Sequence, residues 1–216
     1  MDITSSNICV SISSTNFLEC EQAMLTAKMA ELRLDLMQLH VTQIEKLLQQ
    51  KIPTVVTCRE GKYNRSERLE LLRLAIQNGA SYVDIEVEAE ESYRKSLIEI
   101  AQKHRCKAII SYHNFDCTPS HSELRNIISS CHSMGAAVVK LITAAQSAQD
   151  SARILSLYET EKNLVAFAMG EAGKITRLAC LYLGAPFTYA SMGAGKEAAA
   201  GQMTAESMKE IVRIMS

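Results

Sequence analysis

Short β-branched runs alternate with helical patterns along the whole of this 216-residue chain. Strands separated by helices pair in parallel through right-handed crossovers, so few topologies are open to such a sequence. The eight runs fall at 8–13, 30–36, 54–59, 82–87, 107–113, 137–143, 164–170 and 187–191. Nine Gly and three Pro leave little material for long loops. Eight strand–helix units in one compact chain predict a single (β/α)8 TIM barrel over residues 1–216, with an open doubly wound sheet as the rival fold.

The helices carry their own start and stop signals. Val41, Ile44 and Leu48 recur at helical spacing behind a Thr42…Glu45 capping box. Leu69, Leu72 and Ile76 follow, stopped at Asn78-Gly79. Leu124, Ile127, Ile128, Cys131 and Met134 form a full stripe, entered by Ser120…Glu123 and stopped at Gly135. The last helix carries Met208, Ile211, Val212 and Met215, and weaker patterns cover 19–28, 91–104, 147–160 and 174–183.

Composition excludes several classes of function. Twenty-three basic against 24 acidic side chains give a net charge of −1, without the basic stripe of a nucleic-acid binder. No apolar run approaches the ~20 residues of a membrane span. The start, Met1-Asp2-Ile3-Thr4, lacks the basic segment and apolar stretch of a secretory leader. Seven cysteines without a C-x-x-C pair fit reduced core thiols, so a cytoplasmic enzyme or binding protein is expected.

Charges sit where a barrel should have none. Side chains alternate across a strand, so Glu31, Arg33 and Asp35 share one face while Leu32, Leu34 and Leu36 share the other. Asp84 and Glu86 oppose Val83, Ile85 and Val87; Ser111 and His113 share the Ile109 face; Lys140 lies on the Val138/Ile142 face. Helices outside a barrel demand an apolar outer face, which turns the charged parity inward, where an unpaired charge costs several kcal/mol. An antiparallel sheet with one face in water would explain the alternation without cost, but intervening helices speak against it. Arg59, His113 and Lys140 all come late in their strands, where barrel enzymes keep their sites.

Lys140 has no charged neighbour in sequence. It reads either as a Schiff-base nucleophile with a desolvated amine or as a lysine paired with a carboxylate. His113 suits proton transfer near neutral pH. No two histidines and a carboxylate have metal-ligand spacing, so no metal is expected. The segment after strand seven, 170–174, has two residues between its glycines where a P-loop needs four, though a helix start there suits an anion, as does the 191–196 loop after strand eight.

Glu31, Arg33 and Asp35; Thr57 and Arg59; Asp84 and Glu86; Ser111, His113 and Phe115; Lys140; Met169, Gly170, Gly173 and Arg177; and Gly201-Gln202 occur in this order. In that combination the chain resembles the type I 3-dehydroquinate dehydratases over essentially its whole length. The resemblance implies a (β/α)8 barrel that forms a homodimer and needs no cofactor. It implies that Lys140 forms an imine with the ketone of 3-dehydroquinate, the small-molecule substrate. His113 would then remove the adjacent proton and pass one to the departing hydroxyl, a syn elimination on one face. By the same resemblance Glu60 supplies a carboxylate beside the histidine and Asp84 holds its tautomer. Ser11, Glu31, Arg33, Arg59, Arg177 and Gln202 match substrate-binding positions, and their guanidinium forks suit a carboxylate and a polyol.

Two departures from the family pattern stand out. Arg59-Glu60-Gly61-Lys62 is contracted, so Glu60 must reach the histidine from a shorter loop. Ala198 stands where the family carries serine, from which weaker substrate binding or a differently shaped lid is expected. Two other functions fit the barrel: an aldolase-like lyase using Lys140 on a sugar phosphate, and a non-catalytic binding module.

Overall fold

The computed structural model describes residues 7–196 and 201–215. Eight strands alternate with eight helices: β1 (Ile8–Ile12), α1 (Phe17–Thr26), β2 (Met29–Arg33), α2 (Val41–Leu48), β3 (Thr54–Thr57), α3 (Arg65–Gln77), β4 (Tyr82–Glu86) and α4 (Glu91–Lys103) make the first half. The second half is β5 (Lys107–Asn114), α5 (His121–Ser133), β6 (Val138–Ala144), α6 (Ala148–Ser156), β7 (Leu164–Met169), α7 (Thr176–Tyr182), β8 (Thr188–Ser191) and α8 (Ala205–Met215). All pairings are parallel, in the order β7-β6-β5-β4-β3-β2-β1-β8. This is a single (β/α)8 barrel, nearly closed. Among the described residues no ladder joins β7 to β8; Phe167 and Tyr189 meet across that seam with ring centroids 6.3 Å apart.

The outward parity is apolar, as helices on the outside require. Leu32, Val83, Ile85, Ile110, Val139 and Leu141 are all buried between sheet and helices, each contributing roughly 1.5–3 kcal/mol by leaving water. From the helix side Leu72 and Ile76 of α3, Leu97 of α4 and Leu124 and Ile128 of α5 meet them. No helix among the described residues is long and apolar enough to cross a membrane.

Element boundaries differ from the sequence expectation where a side chain intervenes. The second strand stops at Arg33, because the amides of Leu36 and Met37 both turn back to the Arg33 carbonyl. Asp35 thus sits in a turn and pairs with Arg33 at 2.6 Å, rather than continuing the inward row. The third strand stops at Thr57, which leaves Arg59 and Glu60 beyond its end. Helix α2 is capped by Gln43, whose side chain accepts the His40 amide at 2.9 Å, and not by the Thr42…Glu45 pair. The Ser120…Glu123 box on α5 is present as expected.

Register then decides what meets inside. Ser111 stands opposite both Glu86 and Lys140, Thr57 opposite Asp84, and Ser11 opposite Glu31. Barrel interiors fill in layers drawn from alternate strands. Here the even strands supply Glu31, Asp84, Lys140 and Tyr189, a layer that is three-quarters ionisable carboxylate or amine.

Candidate active site

A cavity of about 440 Å³ opens above that layer and is lined by Ser11, Glu31, Arg33, Arg59, His113, Lys140, Arg177 and Gln202 among others. Eight of the ten residues singled out from the sequence therefore face one space. Asp84 lies beneath it, its side chain fully buried. Glu60 does not line it.

Lys140 holds the centre. Its Nζ lies 2.9 Å from Asp84 Oδ2 and 3.5 Å from Glu31 Oε1, with the Tyr189 ring centroid 4.2 Å away. The charge isolation of Lys140 in sequence is thus undone by partners from alternate strands. Asp84 Oδ1 in turn accepts from Ser111 Oγ at 2.6 Å and Arg59 Nη2 at 2.8 Å. Glu31 accepts from Ser11 Oγ at 2.5 Å and Thr57 Oγ1 at 2.8 Å. All four carboxylate oxygens of Glu31 and Asp84 thus have a partner, which makes this much buried charge tolerable.

Electrostatics follow from those contacts. Burial alone would raise the Asp84 carboxyl, but Arg59, then Lys140 and His113, hold it well below the usual carboxylate range. Glu31 is likewise lowered against its burial by Lys140 and Arg33. His113 is lowered as well, but here burial leads and the positive charges of Arg59 and Lys140 add to it, bringing it down to about 3, so its imidazole is neutral at pH 7. Burial pulls the Arg177 guanidinium down to about 10, still a cation at neutral pH and one that gains from an anion beside it. No hydrogen bond runs from Asp84 to His113; the carboxylate is taken up by Ser111, Arg59 and Lys140, so it does not hold the imidazole's tautomer directly. Phe115, 72% exposed at the rim, instead stacks on the His113 ring at 6.0 Å and 14°.

Glu60 has left the site. Its side chain is 87% exposed and its carboxylate pairs with Arg68 at 3.0 Å, away from the cavity. The contracted loop is the physical reason: Glu60 follows Arg59 directly, and with Arg59 turned to the interior it faces the helix side. Besides Glu31, the carboxylates that line the cavity among the described residues are Glu86 and Glu88. Sequence reasoning also passed over Tyr189 and Phe167, which line the cavity. Strand parity would have found both, since Tyr189 shares a face with Ser191 and Phe167 with Met169.

Two glycines set the rim. A Cβ on Gly173 would lie 2.5 Å from the Ala168 carbonyl oxygen, so only glycine lets the turn after β7 fold tightly enough to start α7 and bury Arg177. Gly201 has φ +73° and would bring a Cβ within 2.9 Å of the Gly170 oxygen; its close approach seats Gln202 at the cavity. Gly173→Ala should destabilise the fold by about 1–3 kcal/mol or more, as overpacking does, read as a lower thermal midpoint. An unchanged midpoint would show that the turn relaxes freely. Ala198, where a family hydroxyl is absent, lies outside the described residues. Among the described residues no group of three or more His, Cys, Asp or Glu is arranged to hold a metal ion.

Comparison with known proteins gives a consistent result. The model of the family described as type I 3-dehydroquinase matches residues 8–216. The chain is 37% identical over 190 residues to a 3-dehydroquinate dehydratase of Thermococcus gammatolerans, covering 86% of this chain and 87% of that one. It is 34% identical over 217 residues to a protein of the same name from Methanococcus maripaludis strain C7, covering 97% and 95%. The crystal structure of the 3-dehydroquinate dehydratase from Aquifex aeolicus superposes with a TM-score of 0.83 at 30% identity, covering 97% of this chain and 98% of that one. With a family model that spans nearly its full length and relatives above 30% identity along most of it, this chain belongs to the type I 3-dehydroquinase family.

Proposed function

We propose that the chain dehydrates 3-dehydroquinate to 3-dehydroshikimate, in the route to aromatic amino acids, through an imine on Lys140 with His113 moving the protons. The observation that carries this reading is a lysine at the floor of a cavity that also presents a neutral histidine and three guanidinium groups, Arg33, Arg59 and Arg177. The guanidiniums would take the substrate carboxylate and hydroxyls, and Ser11, Glu31 and Gln202 would complete the polar lining.

The ketone condenses with the Lys140 amine and loses its oxygen as water, leaving a protonated imine. The ammonium proton must go first, to the neutral His113 imidazole, which returns it to the carbinolamine oxygen as that leaves as water and so is a free base again. The iminium draws electrons from the neighbouring carbon, so His113 can remove a proton there to give an enamine. The enamine expels the β-hydroxyl, which takes the proton from His113 and leaves as water. Hydrolysis of the conjugated imine frees the product and the amine. Glu60 has no place in this sequence, and Asp84 acts on Lys140 and Arg59 rather than on the imidazole. A homodimer and a cytoplasmic setting belong to the same proposal, the first checked by sedimentation at twice the chain mass.

Borohydride reduction during turnover tests the core of this reading. With 3-dehydroquinate present, mass should be added at Lys140 and nowhere else. No adduct would rule the imine out, and an adduct formed only with sugar phosphates would mark an aldolase-like lyase instead.

A further inference from the structure

One charged residue of α3 is buried. Arg65, Glu67, Glu70 and Arg73 are exposed, whereas Arg68 retains 6% of its surface and occupies the same face as Leu72 and Ala75. A guanidinium in a core stripe needs partners, and Arg68 has three. Its Nε donates to the Cys58 carbonyl at 2.9 Å, its Nη1 to Glu60 at 3.0 Å and its Nη2 to Glu86 Oε2 at 2.9 Å. The Tyr93 ring covers it at 5.5 Å.

From Arg68 a chain of alternating charge runs into the catalytic layer. Glu86 Oε1 lies 3.6 Å from Arg59 Nη1, Arg59 Nη2 lies 2.8 Å from Asp84 Oδ1, and Asp84 Oδ2 lies 2.9 Å from Lys140 Nζ. Arg59 is therefore shared between two carboxylates, and Glu86 between two guanidiniums. We propose that Arg68 is a positioning residue for the Schiff-base lysine: by holding Glu86 from outside the cavity it keeps Arg59 on Asp84, and so limits how much of that carboxylate the Lys140 ammonium can claim. This rests on the imine chemistry proposed above.

The sign of the effect follows from the contacts. Without Arg68, Glu86 has only Arg59 to pair with and draws it away from Asp84. Asp84 then turns its charge more fully on Lys140 and holds the ammonium form more strongly against the loss of its proton. The other groups around Lys140 keep their places: Glu31 with Ser11 and Thr57, Arg33 with Asp35, and His113 under Phe115. The Cys9 thiol and Tyr189 phenol nearby are pushed up by burial and stay neutral, and Arg177 lines the same cavity.

The test is the pH dependence of borohydride trapping with 3-dehydroquinate, measured alongside kcat and KM. For Arg68→Met the acid limb of trapping should move up by about one pH unit. Trapping should be about tenfold slower below the limb and within threefold of wild type above it, with kcat rather than KM carrying the loss. Arg68→Met/Glu86→Gln should bring the limb back toward wild type, because no stray carboxylate then competes for Arg59. Should Arg68→Met not fold, Glu86→Gln alone must move the limb to lower pH, since Arg59 then stays wholly on Asp84. A rate lowered equally at every pH, or a limb that does not move in a folded variant, would overturn the proposal. Wild type that traps nothing would instead overturn the imine itself.

Discussion

Lys140→Met is expected to lower kcat on the order of 10⁵-fold or more, the scale on which enzymes lose rate when a covalent nucleophile is removed. Methionine matches the lysine stem in length and leaves the packing against Val138 and Ile142 of the same strand face nearly intact. What it deletes is, among the described residues, the one amine that the layer of Glu31, Asp84 and Tyr189 encloses. Among the described residues no other cation of the cavity can replace it, because Arg33, Arg59 and Arg177 are guanidiniums and do not form imines with ketones. The fold should pay less than the chemistry. Breaking a buried ion pair costs about 3–5 kcal/mol when it leaves a bare charge, but Asp84 keeps Arg59 and Ser111, and Glu31 keeps Ser11 and Thr57. The destabilisation should thus fall at or below the low end of that range. Turnover is read from the absorbance of the conjugated product and stability from thermal unfolding; activity within tenfold of wild type would remove Lys140 from the mechanism.

Much of that arrangement is legible in the sequence. Strand parity alone turned Glu31, Arg33, Asp84, His113 and Lys140 inward, because a sheet covered by helices has one face left for charge. What parity could not supply was register. Lys140 and Asp84 are 56 residues apart in sequence, and nothing local says that alternate strands bring them within 2.9 Å. An apparently isolated lysine is for that reason a paired one. Strand ends are harder still: parity puts Asp35 on the inward row and only the resemblance puts Glu60 beside the histidine, but both lie past the last ladder residue, where alternation no longer fixes direction. Glu60 answers to Arg68 and Asp35 to Arg33. Arg68 carried a signal that was missed, since a charge four residues before Leu72 falls on the face that α3 buries.

Replacing His113 by Gln should separate the proton chemistry from the binding. General acid–base catalysis contributes about 10²–10⁴-fold, so kcat should fall by that factor while KM changes less than about threefold, the arginines and Gln202 being untouched. The same variant should alter how the fold responds to acid. His113 is brought down to about 3 in the folded chain by burial and by Arg59 and Lys140, against about 6.5 in an unfolded one. Between those values the unfolded state binds a proton that the folded state refuses. Stability is therefore fullest above pH 6.5 and declines as pH falls toward 3, by at most about 1.4 kcal/mol per unit from this group. Asp84, held low by its cations once burial is overcome, adds a loss of the same sign only below the ordinary carboxylate range near 4. A comparison at pH 7.5 and pH 5 thus isolates the imidazole. Wild type should lose denaturant resistance over that interval, and His113→Gln should lose markedly less. Parallel losses in the two proteins would mean that His113 takes up its proton as freely in the folded state as in the unfolded one, and that burial, Arg59 and Lys140 do not hold the imidazole down.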